Sequence, residues 1–334
     1  MVIYKLFWFK AGILEFKNAT TPDVWDKEAI IFSTLAQKVY KSEDYDLLSF
    51  HYSTDLLNLK NVNSLKILHL HGVPSKRRII DYNSLNNADA FLAVSKYVLD
   101  GWDRLYNVSK LKKDIAIVLN GIDLSKSTIP QNRDVDLLFF GRLIKNKGVD
   151  TLIKAVYTLK EKYNISTKTV IVGSGPEKKH LENLKKQLGL EHEISFLGSV
   201  SDMILEDNLS RAKICVFPSY AKEGVMCTVL EACLSKSCVV VANSCSIREF
   251  IKDGENGILF KPQNEEDLAL KIKDLLLDKK KREELSEKGF LSLKKMSWES
   301  QSKKIYEFYR KILKNKINET EKCQQNMVSG LVQL

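Results

Sequence analysis

At 334 residues the chain is long enough for two domains that each bury a core, and its 44% apolar and 28% charged residues exclude a disordered or fibrous protein. No apolar run approaches the ~18 residues of a bilayer span, and the opening VIYKLFWF reads as a first strand rather than a signal peptide, so a cytoplasmic location is expected. The net charge of +10 suits contact with an anionic membrane surface or a phosphorylated acceptor; no nucleic-acid partner is expected, because no binding module or basic stripe with interleaved aromatics is present.

After that first strand, YDLLSFH (45–51), LKILHLH (65–71), AFLAVS (90–95) and IAIVLN (115–120) read as short buried strands, with helical patterns between several of them. Alternation of this kind predicts a parallel sheet with helices on its faces. Residues 124–135 are polar and carry Pro130, and the linker is placed there. The strand runs then resume as VDLLFFG, KTVIVG, EISFLG, KICVFPS and CVVVANS. Helix candidates such as VDTLIKAVYTLKEKY and EKKHLENLKKQLG follow them, with apolar residues at helical spacing. The expected division is a first domain over 1–127, a second over 128–299, and a weakly patterned, flexible tail over 317–334. Five of the six cysteines lie between Cys215 and Cys245, yet no two are spaced C-x2-C and three sit in apolar stretches, so buried thiols are expected rather than a metal site.

The stretch EGVMCTVLEA (223–232) follows ICVFPS, a strand closed by Pro218 and Ser219. Glu223 is expected in the loop and Glu231 within the helix that follows. The unpaired N–H groups and dipole of a helix start attract anions, while neighbouring carboxylates can accept hydrogen bonds from ligand hydroxyls. A sugar joined to a diphosphate offers both groups. Taken alone, the two glutamates would read as solvated helix charges.

Further motifs change that weighting: FGRLIKNKG (140–148), VGSGPE (172–177), FLGSV (196–200), FPS and DGENGILF (253–260). In this order and spacing, from about residue 115 to 313, the chain resembles the retaining GT-B glycosyltransferases of the group 1 type (family 4). The resemblance implies an α/β fold of two Rossmann-like domains facing a ligand crevice, with a last helix over 300–316 crossing back to the first domain. It also implies transfer of a hexose from a nucleotide-sugar donor, with neither a cofactor nor a metal.

By that resemblance Arg142 and Lys147 neutralise the donor pyrophosphate, Glu231 holds the ribose hydroxyls, and Glu223 contacts the donor sugar. The backbone of Met226, Cys227 and Thr228 touches sugar and phosphates, Val200 packs on the base, and Gly173 and Gly175 permit close backbone approach. In the first domain His71 is placed to hydrogen-bond the transferring sugar, and His51 lines the acceptor side. Ser95 and the NGID turn (120–123) are family landmarks. The basic triplet Lys76, Arg77 and Arg78 follows His71 closely and is expected to guide a lipid-linked acceptor at an anionic membrane surface.

The chain departs from the family in lacking a Gly-Gly loop after its first strand, where Gly12 is the only glycine before residue 72, and in having a short first domain. It also reads SCSIRE where a Gly-Gly pair is common, and Met226 replaces Gly or Pro. The leading reading is a hexosyltransferase acting on a glycan, lipid-linked or protein-linked acceptor; a catalytically weakened accessory subunit of a related transferase is the runner-up, and architecture alone also leaves open a GT-B epimerase or phosphorylase.

Overall fold

The computed structural model describes residues 45–56, 63–74, 76–127, 130, 132–220 and 227–331. The strand expected in VIYKLFWF, and the residues Glu223 and Met226, lie outside the described residues. The chain forms two compact units: unit 1 comprises residues 1–93, 99–117 and 306–334, and unit 2 comprises 94–98 and 118–305. The change of unit at 117/118 precedes the polar stretch in which the sequence places the linker.

Among the described residues of unit 1, four parallel strands lie in the order β1 (Leu47–Phe50), β2 (Leu65–Leu70), β3 (Ala90–Ala93) and β4 (Asp114–Ile117). Strands β2 and β3 are buried at every position, Lys66 and His69 included, which is why neither LKILHL nor AFLA shows the strict alternation of a half-exposed strand. Helix α1 (Ile79–Asn87) and helix α2 (Lys96–Tyr106) follow β2 and β3. The Ser95 hydroxyl, fully buried, accepts the Val98 N–H at 3.1 Å and so caps α2.

Among its described residues unit 2 holds six parallel strands: β5 (Val135–Phe140), β6 (Thr169–Val172), β7 (Ile194–Gly198), β8 (Ala212–Phe217), β9 (Cys238–Ala242) and β10 (Ile258–Phe260). Their order is β10-β9-β8-β5-β6-β7. Between and after them run α3 (Val149–Tyr163), α4 (Lys178–Gln187), α5 (Asp202–Arg211), α6 (Cys227–Leu234), α7 (Glu265–Leu277) and α8 (Lys279–Ser292). Strand side chains alternate between two cores. Leu137 and Phe139 join α3 and α7 on one face, while Leu138 and Phe140 join α5, α6 and the residues around Met296 on the other. Covering both faces of a parallel sheet in this way defines the α/β class.

Helix α9 (Trp298–Leu331) starts beside the NGID turn, where the Ile122 N–H donates to the Met296 carbonyl (2.8 Å) and the Trp298 N–H to the Ile122 carbonyl (3.0 Å). From Tyr306 onward it belongs to unit 1, burying Phe308 and Ile312. It continues through the residues that weak patterning assigned to a tail. Loss of an apolar stripe removes a buried face, whereas Glu, Lys and Gln keep their helix propensity.

Candidate functional site

The sequence motifs of unit 2 come together at the carboxyl ends of its strands. After β5 the chain runs through Gly141, Arg142 and a short 3-10 turn at Lys145–Lys147 into α3. The Gly141 N–H donates to the Val172 carbonyl (3.0 Å), and Leu143 N–H to the Ser174 carbonyl (2.8 Å), so the loop after β5 lies on the loop after β6. Gly173 N–H donates to the Gly198 carbonyl (2.7 Å), which adds the end of β7. Tyr220 N–H donates to the Asn146 carbonyl (3.0 Å), and the Ser244 hydroxyl to the Ser219 carbonyl (2.6 Å), which adds the loops after β8 and β9. Four strand-end loops thus form one main-chain rim, and the Ser244 side chain ties a fifth to it.

The glycines in the motifs make this contact possible. Gly173 has φ +135°, and a Cβ there would overlap the Gly141 carbonyl oxygen; one at Gly175, φ +155°, would overlap the Leu143 carbonyl. Gly148, φ +68°, lies against the Pro218 carbonyl in the same way. Both Gly173 and Gly175 thus approach the neighbouring loop closely. Val200 is half-buried and packs on the core shared with Phe140.

On this rim Arg142 is exposed and Lys147 half-buried. Helix α6 opens with Cys227 exposed and Thr228 half-buried. The sequence expected Cys227 to be an interior thiol; it is the first helical residue, its sulfur 3.8 Å from Asn120 Nδ2, whereas Cys215, Cys233 and Cys238 are buried and free. Glu231 lies one turn further along, half-buried. Burial raises its pKa, the Asp202 carboxylate adds to the shift, and Lys126 opposes it. Its carboxylate accepts no hydrogen bond among the described residues. A hydroxyl donor supplied by a ligand would relieve that deficit.

In unit 1, His51 follows β1, His69 lies in β2 and His71 follows β2. His51 Nδ1 and His71 Nε2 are 2.8 Å apart, one ring donating to the other. Burial lowers the pKa of both, and for His71 the His51 ring lowers it further. His69 is buried and lowered to about 3 by burial, then by its two neighbours. Both predicted histidines are thus in one cluster, together with a third that sequence reasoning did not name. The spacing H-x-H in HLHG was the available signal, since residues two apart share a strand face.

The basic triplet divides. Lys76 and Arg77 are exposed, and Arg77 Nε donates to the Leu105 carbonyl at 2.7 Å. Arg78 turns inward, donating through Nε and Nη2 to the two oxygens of fully buried Asp81, each at 2.8 Å. One of the three charges is thereby neutralised, which weakens the case for a membrane-guiding patch. Among the described residues no helix is long and apolar enough to cross a membrane.

Residues 123–292 match the family model Glycosyl transferases group 1, which covers the whole strand-end rim. The chain belongs to that family of transferases. An uncharacterized glycosyltransferase of Methanocaldococcus jannaschii is 28% identical over 79% of this chain, though the match spans only 62% of that protein. D-inositol 3-phosphate glycosyltransferase of Corynebacterium urealyticum is 27% identical over 80% of this chain and 72% of its own length. Among solved structures, sucrose-phosphate synthase from Thermosynechococcus elongatus superposes with a TM-score of 0.76 at 19% identity, covering 89% of this chain and 81% of the other. HepE of Anabaena, solved in complex with UDP, gives 0.72 at 20% identity, over 85% and 82%. These likenesses establish the fold of this group 1 transferase as GT-B, with two Rossmann-like units.

Proposed function

We propose that the chain is a retaining hexosyltransferase that binds a nucleotide-sugar on the strand-end rim of unit 2. The observation that carries this reading is the main-chain junction of the loops after β5, β6 and β8, which holds the segment bearing Arg142 and Lys147 on the loop that leads to α6. A diphosphate bound there would meet a guanidinium, an ammonium and unpaired helix N–H groups. Glu231 would accept from the ribose hydroxyls. Glu223, Met226, Cys227 and Thr228 retain the donor roles that the family resemblance gives them, and His71 the hydrogen bond to the transferring sugar. A UDP-linked donor is the first to test, because HepE was solved with UDP and with UDP-glucose.

In the proposed reaction the bond from the anomeric carbon to the diphosphate breaks while one to an acceptor hydroxyl forms on the same face. The leaving phosphate oxygen takes the acceptor's proton. The protein's part is to position the reactants and to place positive charge where negative charge develops. Arg142 and Lys147 supply that charge, so transfer is expected to continue in excess chelator. The acceptor is a glycan or a lipid-linked or protein-linked glycan. The inward turn of Arg78 removes one reason to single out the lipid-linked class.

Thermal denaturation against a panel of nucleoside diphosphates tests the donor site, since a ligand that binds the native state raises the melting temperature by mass action. One nucleotide, UDP first, should shift the transition, and its sugar conjugate should then support transfer in EDTA. No shift with any nucleotide, or activity abolished by EDTA and restored by magnesium or manganese, would contradict the proposal.

A further inference from the structure

Strands β1 and β2 are parallel neighbours with Phe50 opposite Leu68, so continuing that register sets His51 beside His69. His71 lies two residues beyond His69, on the same strand face. The ring centroids are accordingly 4.5 Å apart for His51 and His69, 5.1 Å for His51 and His71, and 6.0 Å for His69 and His71. One nitrogen from each ring lies within 4.8 Å of those of the other two. Tetrahedral coordination with metal–nitrogen bonds of about 2.1 Å separates ligand nitrogens by about 3.4 Å. The 2.8 Å pair is tighter than that and the widest separation looser, so small ring rotations suffice.

We propose that His51, His69 and His71 form a binding site for a divalent metal of the zinc class. Imidazole ligands favour zinc, nickel and copper over magnesium or calcium, and three of them leave a fourth position open. His69 is already oriented for this role. The Tyr309 hydroxyl lies 2.8 Å from His69 Nε2 and donates to Ser49 Oγ at 3.1 Å, which leaves its oxygen able to accept from a His69 Nε2–H. With Nε2 protonated toward Tyr309, the Nδ1 lone pair is the one left for a metal, the arrangement by which outer partners orient ligating histidines. A bound metal would occupy His71 and withdraw it from the transferring sugar, making the metal an inhibitor; this consequence alone rests on the role of His71 proposed above.

The test titrates the metal-free full chain with Co2+, whose visible absorption reports tetrahedral coordination, and with Zn2+ by calorimetry. One equivalent should bind. His51→Gln and the exposed His71→Gln should each weaken affinity by about tenfold or more, and Tyr309→Phe, which keeps the ring but not the hydroxyl, by about tenfold. Circular dichroism of each variant verifies the fold. The remaining histidines, His180 and His192, belong to unit 2, and the double variant His180→Gln/His192→Gln should bind as the parent does, as should Cys227→Ser. Absence of a stoichiometric site, or parent-like binding by both His51→Gln and His71→Gln, would overturn the metal site whether or not the chain transfers sugar. Transfer that continues undiminished with one equivalent of zinc bound would overturn the inhibitory consequence and leave the donor site of unit 2 untouched.

Discussion

In unit 2 the loops after β5, β6, β7 and β8 are joined by main-chain hydrogen bonds and that after β9 by the Ser244 hydroxyl, whereas in unit 1 the segments after β1 and β2 are joined through side chains. His51 meets His71, His69 meets Tyr309, and the Asp81 carboxylate accepts from Ser53, Arg78 and Tyr106 at 2.6–2.8 Å. A rim built from peptide groups tolerates most side chains but depends on the few positions that only glycine can occupy. A cluster built from side chains depends on the chemistry of each member and on its protonation state.

The largest effect should come from breaking the rim. Gly173→Ala places a Cβ against the Gly141 carbonyl at φ +135°, and is expected to destabilise unit 2 by about 4 kcal/mol or more. Gly72, which has no atom within 4 Å of an added Cβ, provides the contrast, and its change to Ala should stay within about 0.5 kcal/mol. Urea denaturation of the two variants measures the difference, and equal midpoints would dispose of the rigid-rim account.

A smaller effect is expected in unit 1. Burial alone would raise the pKa of Asp81, but hydrogen bonds from Arg78, Ser53 and Tyr106 outweigh it and hold it below its ordinary value of 3.8. The stability it contributes is therefore in place above that ordinary value and is lost as pH falls through the lower folded pKa. Asp81→Asn should cost about 2–3 kcal/mol near neutral pH, because it removes a buried carboxylate that accepts from Arg78, Ser53 and Tyr106. It should also flatten the acid limb of stability against pH; a limb as steep as the parent's would show that other carboxylates dominate it.

Strands β5, β6 and β8 of unit 2 were legible because each is a short, largely apolar run closed by Gly or Pro, and because burial on both faces leaves little polar alternation to misread. The positions of Arg142, Lys147 and Glu231 followed from motif order. What was not legible depends on pairing between distant segments. His69 looks like one more strand residue until β1 is set beside β2, and Arg78 looks like part of a surface run until Asp81 is folded beneath it. Gly173 and Gly175 permit a close backbone approach, and which neighbouring loop makes that approach becomes visible only when the loop after β5 is laid on the loop after β6.

The central claim, that the rim of unit 2 binds the nucleotide diphosphate of a sugar donor, is tested most directly by calorimetric titration of UDP into the parent, Lys147→Ala and Glu231→Ala. Each substitution removes a charged partner from a partly desolvated ligand group and should weaken binding by about 1.5–3 kcal/mol, roughly ten- to more than a hundredfold, with a native circular dichroism spectrum. Binding by both variants with the parent's affinity would contradict the assignment and move the donor site away from this rim.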